Sequence, residues 1–314
     1  MNPKTLNHWY KNCISDNKED TKNGNFAGNI AYVGDDQTGE VLHQQVIHIM
    51  KPKNVGTHMC IDEKMIGKKY CTILSNAKTG KIAMLIESMN PLIIKDALSI
   101  FDAEILNQVQ QICCDMSPMM KKICRECFSK ASIIIDKFHV LKHVYDFIHG
   151  IRIGMKNNLD KKDNVQVRDT LWTAKQLLTK SRYVLMRPKV KWSADEKIMA
   201  KHLFGLYPKI KLAYEYVQRL RSWYNIENKV QPQWWLEKNL EQWVEDIEQD
   251  FPVASKFICK MIIKHEEHII NFFKDGLTNS KAENLNGKIQ RFVANNYGLR
   301  NRDFFYYRLQ VYFA

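Results

Sequence analysis

The stretch THMCIDEKMIGKKYCTILSNAKTGKIAMLIES, residues 57–88, decides the fold of this 314-residue chain. It contains three apolar runs, at 57–63, 69–76 and 82–88. The turn sequence AKTGK at 77–81 separates the second run from the third. Short apolar runs bounded by turn residues predict strands, so we expect three antiparallel strands, the first ending on acids that include Asp62.

Alternating helix and strand signals follow these three strands. They are a helix from Pro91, a strand at 109–115, a helix capped by Ser117 at 117–128, and a strand at 131–136. The two later strands end on Asp115 and Asp136. Three antiparallel strands followed by alternating helices and strands predict an α/β domain with a mixed sheet flanked by helices.

Strand signals then disappear, and helical segments broken at prolines continue to about residue 276. The charge of this block is unevenly distributed. Residues 150–201 hold thirteen Lys or Arg against five Asp or Glu, whereas 234–250 hold six acids and one lysine. The predicted organisation is a lead-in arm at 1–56, a first core part at 57–137, an all-helical insertion at 138–276 and a last core part at 277–314.

The sequence TNSKAENLNGKIQRF, residues 278–292, carries two stripes at helical spacing. The apolar stripe is Ala282, Leu285, Ile289 and Phe292, and the polar stripe is Asn279, Glu283, Asn286 and Gln290. Glu283 is the only acid between Asp275 and Asp303. A lone carboxylate on a half-buried, amide-lined stripe suits a metal ligand facing a polyanion. The alternative is a cationic surface helix whose glutamate makes ordinary i,i+4 ion pairs.

The composition narrows the class of partner. The net charge is +13 and the pI is about 9.2, which indicates a polyanion, most commonly nucleic acid, with an anionic membrane surface as the rival. No apolar run reaches the length of a membrane span, and the N-terminus lacks the apolar core of a secretory signal. We therefore expect no membrane partner and a cytoplasmic, nucleoid-associated protein. Cys124 and Cys127 could begin a zinc site, but no second pair follows at finger spacing.

The strand-end acids and the late glutamate form a candidate constellation. Ends of neighbouring strands in one sheet lie close together, so Asp62 and Asp115 can converge. Two-metal phosphoryl transfer needs carboxylates around two Mg²⁺ ions that lie roughly 3.5–4 Å apart. Glu283 would be a third such ligand. The alternative is that these acids merely end strands and cap helices, as Asp115 could for the helix that follows it.

Four motifs in order resemble DDE transposases of bacterial insertion sequences, and most closely their ISL-three branch. These motifs are CIDE at 60–63, CDMSP at 114–118, IDKFHV at 135–140 and TNSKAENLNGKI at 278–289. The resemblance covers about residues 57–313. It implies a ribonuclease-H-like fold interrupted by a helical insertion. It also implies cleavage and strand transfer of DNA with Mg²⁺, for which Mn²⁺ could substitute.

The resemblance assigns roles by motif position. Asp62, Asp115 and Glu283 match the catalytic, metal-binding acids. Asp136 and His139 match a motif beside the metal site or the DNA, and His139 forms an i,i+4 pair with His143 that could in principle bind zinc. As supports for Glu283 we expect Asn279 and Asn286. Our candidates for phosphate contacts are Lys281, Lys288, Arg291, Arg300 and Arg302.

One departure from the family concerns DNA recognition. Members usually begin with a cysteine-rich finger and a helix-turn-helix, and no such motif precedes residue 57 here. Either the recognition part is a separately encoded protein, or this copy is truncated or repurposed. As partners we expect double-stranded DNA (element ends and target) and further copies of this chain in a homo-oligomer on that DNA. The alternative functions are a structure-selective nuclease of the same fold that cuts without strand transfer, and a non-catalytic, DNA-binding relic of a transposase.

Overall fold

A computed structural model describes the chain at residues 29–32, 43–160, 163–295 and 302–314. Its strands are β1 (Asn29–Tyr32), β2 (His43–Met50), β3 (His58–Ile66), β4 (Lys69–Asn76), β5 (Ile82–Ile86), β6 (Gln111–Cys114) and β7 (Ser132–Ile135). They form one sheet in the order β1-β2-β5-β4-β3-β6-β7. β4 pairs antiparallel with both β3 and β5, whereas β6 pairs parallel with β3 and β7 pairs parallel with β6. This arrangement is the predicted ribonuclease-H-like mixed sheet.

Thirteen α-helices lie in the described part of the chain. They are α1 (Pro91–Ser99), α2 (Ala103–Asn107), α3 (Pro118–Cys127), α4 (Lys137–Asn157), α5 (Ala174–Lys180), α6 (Arg182–Leu185), α7 (Ala194–Leu206), α8 (Pro208–Trp223), α9 (Gln233–Asp250), α10 (Lys256–Ile270), α11 (Phe272–Asp275), α12 (Ser280–Asn295) and α13 (Arg302–Phe313). Short 3₁₀ helices occur at Pro52–Asn54, Lys189–Lys191 and Ile226–Val230.

Strand alternation divides the sheet residues between two faces. In the β3–β4 register Ile61 lies opposite Leu74, and Asp62 lies opposite Ile73. Ile61 and Leu74 belong to the core shared with α1, α2 and α3. Ile73 belongs to the core of the other face, which contains residues of α12 and α13. Asp62 therefore shares the face on which α12 packs against β3.

The predicted helix start at Ser117 is confirmed. Its hydroxyl accepts a hydrogen bond from the backbone N–H of Met120 at 3.4 Å, and Pro118 occupies the first helical position. Asn90 caps α1 in the same way, through the backbone N–H of Leu92 at 2.9 Å. Both helices thus begin where the sequence supplies a side-chain acceptor followed by proline.

Part of the predicted lead-in arm adds strands to the sheet. β2 lies within the segment VLHQQVIHIM at 41–50, and it pairs antiparallel with β5. β1, which the sequence did not predict, pairs with β2. The rest of the segment before β2, residues 1–28 and 33–42, lies outside the described residues.

Residues Lys137–Gly276 form a compact helical unit, separate from the sheet unit, which comprises the chain up to Asp136 and from Leu277 onward. Within the helical unit α8 packs against α4, α7 and α9, and α9 packs against α10. Trp243 lies in its core and donates a hydrogen bond from its indole N–H to the carbonyl of Tyr216 at 2.9 Å. None of the helices that the structure describes is long and apolar enough to cross a membrane.

Candidate functional site

Asp62 and Asp115 lie at one edge of the sheet, on neighbouring strands. Cys60 of β3 is the register partner of Cys113 of β6, and the two strands run parallel. Each aspartate follows its cysteine by two residues, so both carboxylates stand at the same level along the sheet. The two aspartates are therefore neighbours in the backbone, as predicted. The prediction that Asp62 ends its strand is wrong, because β3 continues to Ile66, whereas Asp115 does follow the end of β6.

Local hydrogen bonds fix one oxygen of each carboxylate. Oδ1 of Asp62 accepts the backbone N–H of Glu63 at 2.9 Å, and Oδ1 of Asp115 accepts that of Ser117 at 2.9 Å. The Asp115 bond is the local turn contact expected of an aspartate before a helix. The carboxylate of Asp115 has further lone pairs, so this local hydrogen bond does not prevent it from binding a metal ion.

Glu63 is a third carboxylate of this neighbourhood, and sequence reasoning did not single it out. Burial, the charge of Asp115 and the charge of Asp62 together raise the pKa of Glu63. Its Oε1 is buried and has no hydrogen-bond partner among the described residues. Two carboxylates whose charges raise the pKa of a third indicate a place that lacks positive charge. The only available sequence signal was the adjacency of Asp62 and Glu63.

Helix α12 is bonded to this edge at two points. Nδ2 of Asn286 donates to Oδ2 of Asp62 at 2.7 Å. At the beginning of the helix, the backbone N–H of Asn279 donates to Oδ1 of Asp136 at 3.3 Å. The carbonyl of Asn279 accepts the N–H of Glu283 at 2.8 Å, which continues the bonding into the first helical turn. Glu283 therefore has, one helical turn away on either side, a residue that is bonded to Asp136 or to Asp62.

The apolar stripe of α12 explains why the helix docks there. Ala282, Leu285 and Ile289 are buried, and Leu285 and Ile289 pack in the core that contains Ile73 and Phe305. The polar stripe divides into two kinds of residue. Asn279 and Asn286 are buried, whereas Glu283 and Gln290 are exposed. The carboxylate of Glu283 is thus exposed, whereas the two asparagines on the same flank of the helix are buried.

The donor chemistry of this edge suits a hard cation such as Mg²⁺, which prefers carboxylate oxygens. The buried, unpartnered Oε1 of Glu63 agrees with that chemistry, since a cation would offset the mutual repulsion of the acids. In the described ranges, however, no three or more His, Cys, Asp or Glu side chains form a group close enough to hold a metal ion. The two aspartates and Glu283 are brought to one edge without forming such a group.

The predicted phosphate contacts have different positions. Lys281, Lys288 and Arg291 are all exposed on α12. At 100° per residue, Lys281 and Lys288 lie roughly 140–160° around the helix from Glu283, on the opposite flank of the apolar stripe. Arg291 lies nearer to Glu283, at about 80°. Arg300 falls outside the described residues; Arg302 begins α13, and its side chain is not described.

The histidine pair and the cysteine pair are placed as follows. His139 and His143 lie in α4 of the helical unit, where His139 is half-buried with its ring 5.9 Å from that of Phe138. Burial is the main cause of a lowered pKa at His143. Cys124 is buried in the sheet core, and a hydrogen bond with Cys114 together with burial raises its thiol pKa well above the usual value. Burial also raises the thiol pKa of Cys127. Both thiols are thereby held in their protonated forms.

Comparison with known families identifies the family of the chain. A family model described as a transposase, of the DDE type and the ISL-three branch, matches residues 59–309. No curated protein and no solved structure matches the chain. The matched segment begins at β3, ends in α13, and spans well over half of the sequence. The chain belongs to the ISL-three family of DDE transposases.

Proposed function

We propose that this transposase cleaves DNA strands and joins 3′ ends to target DNA by Mg²⁺-dependent phosphoryl transfer. In this proposal Asp62, Asp115 and Glu283 hold the metal ions. Bound Mg²⁺ would activate the attacking oxygen and stabilise the leaving oxygen of an in-line displacement, and Mn²⁺ would substitute for it. Membership of the family implies DNA as the partner.

The observation that carries the proposal is the double attachment of α12. The Asn286–Asp62 bond and the Asn279–Asp136 bond fix both ends of the helical segment that bears Glu283. A surface helix whose glutamate made only ordinary ion pairs would not need hydrogen bonds to Asp62 and Asp136 on either side of that glutamate. This attachment supports a role for Glu283 together with Asp62 and Asp115.

Each residue then has a distinct task. Asp62 and Asp115 would supply oxygens from the sheet edge, one oxygen of each being held by a backbone N–H. Asn286 would orient Asp62, while Asp136 would hold the first turn of α12. Glu283, exposed on its flank, would reach the ions from the helix side. On DNA we expect at least two copies, because two element ends must be processed together.

Metal-specific rescue tests the ligand assignment. Asp62→Cys, Asp115→Cys and Glu283→Cys would each be assayed for nicking and 3′-end joining of DNA in Mg²⁺ and in Mn²⁺. Loss of activity in Mg²⁺ with partial recovery in Mn²⁺ is expected, since thiolate binds the softer ion better. The matched controls are Asp102→Cys and Glu104→Cys, exposed acids near α2, which should keep activity in both metals.

Two outcomes would overturn parts of the proposal. Full activity of Glu283→Ala on pre-nicked ends would remove Glu283 from the ligand set. Nicking without joining of a 3′-hydroxyl donor, by the unmodified chain, would leave a nuclease of the same fold rather than a strand-transfer enzyme.

A further inference from the structure

The helical unit contains a groove of about 950 Å³ between α9 and α10. Its floor is apolar and includes Leu240, Val244, Ile262 and Ile263. Ile263 is 61% exposed, so part of this floor lies open to solvent. The volume is within the range of about 300–1,000 Å³ that is typical of ligand-binding clefts.

Six glutamates, against the two lysines Lys229 and Lys274, dominate the charge of the groove walls. Those on α9 are Glu237, Glu241, Glu245 and Glu248, and those on α10 are Glu266 and Glu267. The α9 residues recur at 4, 4 and 3, which places them along one helix face. None of these six glutamates has an ion-pair partner among the described residues. Burial and then the neighbouring glutamates of α9 raise the pKa of Glu266, which agrees with their convergence.

This charge excludes the obvious partner of a basic DNA-binding chain. The chain as a whole carries +13, yet the groove would repel a phosphate backbone. A suitable occupant combines positive charge with an apolar tip, to match the acidic walls and the apolar floor. Such an occupant is a protein segment.

The same unit carries a segment with these properties. Lys189, Val190 and Lys191 form a 3₁₀ turn, which we call the cationic knob. Val190 is 90% exposed, and both lysines are exposed without an ion-pair partner among the described residues. The knob is thus an apolar tip flanked by two positive charges.

The knob is held in place by the residues on either side of it. Trp192 is largely buried and donates from its indole N–H to the carbonyl of Val184 at 3.0 Å. On the other side, the hydroxyl of Tyr214 donates to the carbonyl of Arg187 at 2.8 Å. A segment fixed in this way loses little conformational entropy when it binds.

We propose that the cationic knob of one copy docks in the acidic groove of a second copy. The knob is not among the residues that line the groove of its own compact unit, so its complement lies in another molecule. Val190 enters the apolar floor, and Lys189 and Lys191 pair with the glutamates of the walls. A two-fold arrangement satisfies both knobs and both grooves at once, as in most homodimers.

Charge reversal on each side tests the contact. The groove variant is Glu241→Lys with Glu245→Lys, and the knob variant is Lys189→Glu with Lys191→Glu. Self-association is measured by sedimentation velocity of the full chain at low and high salt, without DNA. We expect a salt-sensitive dimer for the unmodified chain and at least a roughly tenfold weaker association for each variant alone, since like charges then face one another.

The decisive experiment mixes the groove variant with the knob variant. The reversed knob then meets the reversed groove, and in the same pair the native knob meets the native groove, so a 1:1 dimer should reappear. Charge-matched controls are Glu104→Lys with Glu215→Lys, and Lys197→Glu with Lys201→Glu, all at exposed positions outside both surfaces. These should dimerise as the unmodified chain does.

The contrary outcomes are equally definite. A monomeric unmodified chain at all salt concentrations overturns the proposal, as does failure of the mixed variants to associate while both stay folded by circular dichroism. If the groove variant changed only DNA affinity, the groove would be a nucleic-acid surface and the proposal would be wrong. Self-association does not require catalysis, so an inactive Asp62→Asn chain should associate normally. Failure of the docking proposal therefore leaves the proposed phosphoryl-transfer function intact, and the reverse also holds.

Discussion

The hydrogen bond from Asn286 to Asp62 should contribute measurably to the docking of α12. Nδ2 of Asn286 lies 2.7 Å from Oδ2 of Asp62, and Asn286 is only 7% exposed. A hydrogen bond to a charged acceptor contributes about 1.5–3 kcal/mol when it is shielded from water. Asn286→Ala should therefore lower the free energy of local opening of α12 by that amount.

Hydrogen exchange of peptides from α12 measures this opening directly. A loss of about 1.5–3 kcal/mol corresponds to roughly 10- to 150-fold faster exchange. Gln290→Ala is the matched control, because Gln290 lies on the same flank of the same helix but is exposed. Six of the seven tryptophans belong to the helical unit, so the unfolding midpoint followed by tryptophan fluorescence should barely change.

A double-mutant cycle isolates the pair itself. In an Asp62→Ala background the acceptor is gone, so Asn286→Ala should cost less than about 1 kcal/mol. The reasoning is refuted if Asn286→Ala has the same effect with and without Asp62. It is also refuted if Asn286→Ala accelerates exchange no more than Gln290→Ala does.

Three further outcomes follow from burial and charge. Ile289→Ala removes a fully buried side chain from the core beneath α12 and should cost about 2–5 kcal/mol in urea unfolding, and a loss below 1 kcal/mol would contradict that packing. Burial, and then neighbouring arginines, lower the pKa of His149 to about 4 from 6.5, so the stability of its neutral form is present above pH 6.5 and is lost as the pH falls toward 4. His149→Leu should remove roughly 1–2 kcal/mol of the loss that unfolding titrations show between pH 7 and pH 5, and an unchanged pH profile would refute this. Because burial and the two nearby aspartates raise the pKa of Glu63, its ionisation destabilises the fold increasingly as the pH rises above 4.5. Glu63→Gln should raise the melting temperature at pH 7 without divalent ions and much less at pH 4, and equal changes at both would contradict the charge argument.

The sequence predicted most of the sheet because most of the strands are short apolar runs between turn residues. β4 and β5 lie within the second and third runs of residues 57–88, and β7 lies within the run that ends on Asp136, whereas β3 extends beyond the first run to Ile66. β1 was not predictable in this way. It has only four residues in a polar, turn-rich segment, and its place depends on pairing with β2 rather than on a pattern of its own.

The sequence predicted most residues of the candidate site, but it did not predict the contacts that connect them. Residues at the same level of neighbouring parallel strands lie side by side, so Asp62 and Asp115 could be paired from topology, although Asp62 lies inside β3 and not at its end. The hydrogen-bond partner of Asn286 could not be predicted, because the docking angle of α12 determines which residue of the polar stripe reaches which strand. Glu63 was missed for the opposite reason: its importance comes from the field of two acids, and only one of them is adjacent in sequence.

The two buried asparagines of α12 are difficult to explain by stability alone. Asn279 is 3% exposed, and its Oδ1 has no hydrogen-bond partner among the described residues, which costs about 1–3 kcal/mol. An apolar residue would pack against the sheet without that cost, as Ala282 and Leu285 do in the neighbouring stripe. The unfavourable residue lies one turn before Glu283, where its backbone N–H meets Asp136. The side-chain amide of Asn286 and the backbone N–H of Asn279 together fix the flank that carries Glu283 near Asp62 and Asp136, and stability alone does not account for the buried Oδ1 of Asn279.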